Sequence, residues 1–447
     1  MSRATESGSA GSGFHPAGQR DVVVIGGGFA GVTAARELAH AGLDVLLVEA
    51  RDRLGGRTWV DQRLGRRLEM GGMHVHWMQP HVWAEISRYG LALGTPHPLE
   101  NATWFTDGQA HTGTFAEMCD LLDRPLTLFG RDARTVFPNQ YAPADALEEV
   151  TSIDHLSFAD RFEELDLDPV ERGLLHAFWT MQFHAAPEQG ALTQCLRWIA
   201  LGAGDWRLLL EALAGYELVD GTDALVEAMR QDGGFDVRLE SPVTRITSED
   251  GGVTIQFASQ DPVRARAVIL AVPLNVLHSI DFDPPLPTGL QAVATERQTT
   301  RGFKVWMEVK GDPGPWCAFA DKHPLTWATT IESGADRSLM VGFGPDGEAV
   351  NPNDRDAIQA ALEPLLPGVE VLTSVGHSWL TDPYTLGTWG MLRPGQWTSL
   401  HESELDAPLF IGGSDFASGW AGLIDGAIES GLTSSRRVLR YLGAQAE

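Results

Sequence analysis

The stretch Asp21–Thr58, DVVVIGGGFAGVTAARELAHAGLDVLLVEARDRLGGRT, constrains the fold more than any other part of the chain. Asp21–Ile25 is a short run of β-branched apolar residues and reads as a strand. Gly26, Gly28 and Gly31 then fill the three fixed positions of G-x-G-x-x-G. Val32–Ala39 reads as a helix and Asp44–Val48 as a second strand, closed by Glu49 about 20 residues beyond the glycines. Gly26 permits the sharp turn out of the strand, Gly28 lets backbone approach a pyrophosphate, and Gly31 lets the helix pack closely on the sheet. The helix N-terminus, with Phe29 and Ala30 in the turn before it, presents unpaired N–H groups and a positive dipole end to phosphates. Glu49, followed by Ala50, is placed to accept hydrogen bonds from ribose hydroxyls. A glycine-rich turn before any helix can mimic the glycines alone; here strand, helix, second strand and acid fall in order, and a parallel sheet with no ligand is the alternative.

Just downstream, Arg51-Asp-Arg-Leu-Gly-Gly-Arg-Thr58 adds a second glycine pair flanked by arginines. An ordinary nicotinamide domain has no need of it. The two charges of a buried FAD pyrophosphate can be met by arginine forks, so Arg51, Gly56, Arg57 and Thr58 join the expected cofactor site. The alternative for Arg51, Arg53 and Arg57 is a solvated loop. This pattern resembles the FAD-binding motif of the flavin-containing amine oxidase family.

The chain has 447 residues, too many for one simple core and suited to two interleaved domains. Its net charge of −27 argues against nucleic acid and against an anionic membrane surface, and serves solubility. Cys119, Cys195 and Cys317 are odd in number and far apart, so no disulfide framework and no zinc site is expected, and the compartment reads as reducing and cytoplasmic. Met1–Arg20 is rich in Ser, Gly and Ala and reads as a disordered tail. No apolar run is long enough to span a bilayer.

Leu68–Gly90 carries Gly71, Gly72 and Met73, a place for backbone to approach a flat ligand. His74, His76 and His81 follow between Trp77 and Trp83, but nothing completes a metal set, and no metal is expected. Thr103–Gly221 reads as mostly helical and aromatic, a substrate domain. Phe235–Ile246, Val253–Phe257, Ala267–Pro273 and Arg301–Val309 read as strands. Lys304 stands out in the last of these, because an ammonium on an apolar strand is costly to bury without compensation. Snorkelling to the surface is its bland alternative.

From Asp21 to about Arg440 the chain resembles the flavin-containing amine oxidases, and within them the bacterial nicotine oxidase and pseudooxynicotine amine oxidase group. The closer likeness is carried by HWMQPHVWAEISRYG up to Gly90, Ala271-Val-Pro-Leu-Asn275, Leu386-Gly-Thr-Trp389, and Gly419-Trp to Gly431. The resemblance implies an α/β fold, a Rossmann-like FAD-binding domain interleaved with an α+β substrate-binding domain. The former would take 21–95, 222–290 and 395–447, the latter 96–221 and 291–394. It also implies that Val243 offers its backbone to the adenine and that Lys304 holds a water against flavin N5. Gly413-Ser414, with Asp415 beside it, falls where the family has Gly-Glu near the ribityl chain. Leu423 and Ile424 open a final helix whose N-terminus can take charge developing on a reduced flavin. Trp389 would be one wall of the amine cage and Leu423 the other, with Trp77 and Trp327 as further walls. Thr388 stands where some members attach flavin through cysteine, so FAD is expected to be non-covalent.

The implied reaction is FAD-dependent oxidation of a nicotine-like or other bulky secondary or tertiary amine. A hydride leaves the carbon next to nitrogen for flavin N5, the resulting imine or iminium is hydrolysed, and dioxygen or an acceptor protein reoxidises the flavin. An L-amino-acid oxidase needs an arginine clamp, for which Arg197 and Arg393 are candidates. A flavin-binding scaffold without catalysis is the alternative of another class. A homodimer is what the family implies for assembly.

Overall fold

The structure is a computed structural model and describes residues 19–249 and 251–444. The expected tail lies outside the described residues except for Gln19 and Arg20, which already belong to strand β1 (Gln19–Ile25). Arg20 is held there by Asp44 and Asp236 at 2.6 and 2.7 Å.

β1 leads through the glycine turn into helix α1 (Phe29–His40) and strand β2 (Val45–Val48). β2 lies parallel to β1, and on the other side Val263–Leu270 does the same. A strand flanked by parallel neighbours buries both faces, which is why the run is apolar throughout. Val22 and Val24 pack with α1 and the final helix, Ile424–Ala444. Val23 and Ile25 pack on the opposite face, with Leu270 and Leu277. Among the described residues this sheet has eight strands. The expected strand 235–246 is split into Asp236–Arg238 and Val243–Glu249, because Pro242 cannot donate to a ladder.

A second sheet, of seven strands, runs from Val371–Val375 through Phe303–Lys310 and Arg337–Gly344 to the hairpin of Asn101–Thr106 and Gln109–Thr114. The hairpin is a correction to the helical expectation for this region. Asp107 and Gly108 take φ of 51° and 72°, the two-residue turn that an Asp-Gly pair favours. Helices follow it, and Phe178, Trp179, Phe183, Trp198 and Trp206 form their buried core.

Phe303–Lys310 shows how this sheet presents the site. Phe303, Val305, Met307 and Val309 pack against Ile358 and Leu362 of helix Arg355–Leu362. The period of two turns Lys304 and Trp306 to the other face, beneath the segment Leu68–Met73.

Candidate active site

One cavity of about 460 Å³ runs from the glycine turn to the aromatic helical core. At its first end lie Gly26, Gly28, Phe29 and Ala30. Gly26 has φ +110°, and a Cβ there would meet the Ala271 carbonyl oxygen at 2.5 Å. Gly31 lies behind the turn, where a Cβ would be 1.9 Å from the Gly26 oxygen, so its part is close packing rather than lining. Among the described residues no side chain caps α1, which leaves the amides of its first turn for a ligand. The Glu49 carboxylate is fixed at the cavity edge, accepting from Gly27 N–H at 2.6 Å and Arg51 N–H at 2.9 Å. Ala50 and, from the crossing ribbon, Val243 border the same space.

The three arginines divide their tasks. Arg53 donates to the carbonyls of Leu54, Gly56 and Thr58 and ties the loop to itself. Arg51 is paired with Asp382 at 2.6 Å, and Arg57 with Asp415 at 2.6 Å and Ser414 at 2.8 Å. Arg51 and Arg57 line the cavity together with Gly56 and Thr58, yet each keeps a carboxylate of its own. Half-buried guanidinium groups need such anions whether or not a phosphate is near. Asp415 departs from its expected place at the ribityl chain. Unlike Gly413 and Ser414 it does not line the cavity; it accepts from Arg57 and from Leu274 N–H at 2.9 Å.

Farther along, Gly71, Gly72 and Met73 form one wall, and Leu423 and Ile424 another. A Cβ on Gly71 would strike the Arg57 carbonyl oxygen at 2.1 Å, so a larger residue would push this wall off the arginine loop. Against the first of these walls the Lys304 ammonium donates to the Gly71 carbonyl at 3.1 Å, touches Met73 Sδ at 2.7 Å, and lies 4.9 Å from the Trp306 ring. Lys304 is buried rather than snorkelling, and burial lowers its pKa to about 8. Glu69 lies on the same side, its carboxylate capping the helix Thr222–Gly233 through Thr222 N–H at 2.6 Å. Burial raises the pKa of that carboxyl to about 7.

Trp389 lines the far end of the cavity, its indole N–H donating to the Gln182 carbonyl at 2.8 Å. Leu423 borders the same cavity. Two expected walls fall elsewhere. Trp77 follows the short strand His74–Val75 in a turn, is 51% exposed and does not line the cavity. Trp327 stands one layer back, directly opposite Phe343 on the neighbouring strand with ring centroids 5.0 Å apart; Phe343 faces the cavity in its place. Gln79, Gln182 and His184 also line this end, and the sequence reading missed them. Only His184 had a local signal, standing just past a helical pattern and before Ala185-Ala-Pro187.

The histidines expected not to form a metal set have separate partners: His74 with Glu217, His76 with Glu211 and His81 with Asp425. Neither candidate clamp arginine lines the cavity. Arg197 is buried and donates to the carbonyls of Ala417 and Gly419, and Arg393 donates to that of Arg297. Among the described residues a substrate carboxylate therefore finds no free guanidinium here.

The residues present fit FAD. Uncapped helix amides would meet a pyrophosphate, Glu49 a ribose, and the glycine wall a flat ring. Thr388 Oγ1, buried on the cavity without a partner among the described residues, offers a further hydrogen bond. Cys119, Cys195 and Cys317 all lie off the cavity, so no thiol is at hand for covalent attachment.

A family model described as flavin containing amine oxidoreductase matches residues 29–439. The chain is 36% identical over 433 residues to pseudooxynicotine dehydrogenase of a Pseudomonas species, covering 94% of this chain and 86% of that protein. It is 34% identical over 429 residues to nicotine dehydrogenase of Pseudomonas putida, with 94% and 89% covered. The solved structure of putrescine oxidase bound to putrescine shares the fold, with a TM-score of 0.81 at 22% identity over 94% of this chain and 99% of that one. With the family match running from the start of α1 through the segment carrying Trp389, the chain belongs to the flavin containing amine oxidoreductases: it is an enzyme that oxidises an amine with non-covalently held FAD.

Proposed function

We propose that the amine is a bulky secondary or tertiary one of the nicotine type. One observation carries this: Lys304 and Trp389 border the same cavity as the start of α1, and its amine end is built of Trp389, Phe343, Leu423 and Trp198. The two Pseudomonas relatives named for nicotine and pseudooxynicotine support the same class.

FAD, when bound, supplies the two-electron acceptor for the hydride that leaves the carbon next to nitrogen, and the amine becomes an iminium ion that water hydrolyses. The protein's part is to hold, orient and dry the reactants. The first-turn amides of α1 and the Arg51 and Arg57 loop hold the pyrophosphate, Glu49 the ribose, and Gly71–Met73 with Gly413, Ser414 and Ile424 the flavin. Trp389 and Leu423 flank the amine. Among the described residues no carboxylate lines the amine end, so a protonated amine finds no counter-ion from them and burial favours the neutral, reactive form. Lys304 holds a proton-bearing ammonium beside the reacting face and assists transfer of electrons onward, to dioxygen or to an acceptor protein.

We infer the interleaved domain boundaries 21–95, 222–290 and 395–447 against 96–221 and 291–394, on the support that the described strands of the first sheet fall in the former, apart from Gln19 and Arg20 at the start of β1, and those of the second in the latter. A homodimer in the cytoplasm completes the proposal. No described helix is long and apolar enough to cross a membrane.

The test is anaerobic mixing of the FAD-loaded protein with nicotine, pseudooxynicotine, a phenylalkylamine, a polyamine and an L-amino acid. Bleaching of the flavin by the pyridine alkaloids, and not by the amino acid, is expected. Admitting air then separates an oxidase from a dehydrogenase. Bleaching only by the polyamine or the amino acid would overturn the substrate class.

A further inference from the structure

His184 is held more tightly than the C-cap of a helix requires. It follows helix Pro169–Phe183 with φ 48° and ψ 43°, a left-handed conformation uncommon for a residue with a side chain. Its N–H donates to the Thr180 carbonyl at 2.8 Å and its carbonyl accepts from Arg301 N–H at 3.0 Å. The ring lies against Gly302, where a Cβ would be 2.3 Å from Nδ1. Trp389 stands 4.1 Å away and Phe343 5.4 Å, centroid to centroid. The residue is 0% exposed and borders the cavity, yet neither Nδ1 nor Nε2 has a hydrogen-bond partner among the described residues.

A neutral imidazole carries one donor and one acceptor. Burial keeps this one neutral, pushing its pKa down to about 3. Of the two groups, a buried N–H is the one that folded proteins almost never leave unpaired. Trp389 cannot serve instead, since its N–H is taken by Gln182.

We propose that His184 determines specificity: its ring N–H donates to an uncharged acceptor, an aromatic ring nitrogen or a carbonyl oxygen, on the part of the amine that does not react. This rests on the amine-oxidation reading and adds to it what the remote part of the substrate carries. A pocket built around a hydrogen bond rejects an isostere that lacks the acceptor far more strongly than an apolar pocket does.

The test compares nicotine with 1-methyl-2-phenylpyrrolidine, in which a C–H replaces the pyridine nitrogen. The readout is kcat/KM for flavin bleaching, measured where both amines are neutral. The wild-type protein should prefer nicotine by about tenfold or more. His184→Phe should bring the ratio within about twofold of one by losing rate on nicotine, and His184→Asn, which tolerates the left-handed backbone and keeps a donor, should restore part of it. If His184→Phe does not fold, His184→Asn against wild type decides, through an intermediate ratio. Equal wild-type rates on the two amines, or an unchanged ratio in the variants, would overturn the assignment while leaving amine oxidation intact. Bleaching by neither amine would bring down the nicotine-type reading and this inference with it.

Discussion

Replacing Gly31 by alanine sets two effects against each other. Gly31 lies inside α1, where alanine is the better helix former by about 1 kcal/mol. Against this, the new Cβ would sit 1.9 Å from the Gly26 oxygen, about 1.1 Å short of the closest distance that Cβ atoms adopt. The obstacle is backbone, so either the glycine turn or the helix start must retreat by roughly that amount. Overpacking of this kind costs ~1–3 kcal/mol, so the net loss of stability is at most about 2 kcal/mol. The effect on FAD should be larger than that modest figure suggests. A helix start displaced by about 1 Å misaligns its amides with the pyrophosphate, and losing one charge-assisted hydrogen bond of about 2 kcal/mol raises Kd roughly 30-fold. The assay is fluorescence titration of the apoprotein with FAD, alongside melting with and without the cofactor. Gly42→Ala is the control: it lies just past the far end of α1 with φ +86° and nothing within 4 Å, so it strains the backbone without a clash. It should lower the melting temperature and leave the affinity alone. A Kd for Gly31→Ala within about threefold of wild type would refute the packing argument.

Three further outcomes follow from the site. Lys304→Met puts an apolar chain of similar length among Gly71, Met73 and Trp306, so flavin content should hold while stopped-flow reoxidation slows tenfold or more, as an estimate of about that size for one lost electrostatic contact; unchanged reoxidation would remove Lys304 from that step. Asp415→Asn strips Arg57 of a buried partner and should cost about 2–3 kcal/mol of stability together with FAD affinity, and unfolding curves that coincide with wild type would exclude it. The hydrogen bond to Asp425 raises the pKa of His81, so the charged form is favoured in the folded chain. Its stabilisation is present below the ordinary histidine value and lost as pH rises through the raised one, a difference of under about 1 kcal/mol for a partly exposed pair. His81→Gln should therefore flatten the fall in melting temperature between pH 6 and 8, as an interval of about two units around that range; parallel slopes would show that the pair does not contribute.

By itself the sequence determined what rests on local pattern. The glycine turn, Glu49, the arginine loop and the buried strand lysine could be read in order, because each depends on backbone conformation or burial that a few neighbouring residues impose. The Asp107-Gly108 hairpin was equally legible, and only the weight of helical residues after it hid the signal. What only the tertiary structure decided depends on which segments meet across long distances. Trp77 and Trp327 looked like Trp389 in sequence, but one falls in an exposed turn and the other behind Phe343. Asp415 is taken from the cavity by Arg57, 358 residues earlier in the chain. His184 acquires its environment from Trp389, Phe343 and Gly302, none of them near it in sequence. A side chain's chemical type is written locally, whereas its freedom to meet a ligand depends on which partners folding brings against it first, and those contacts are non-local.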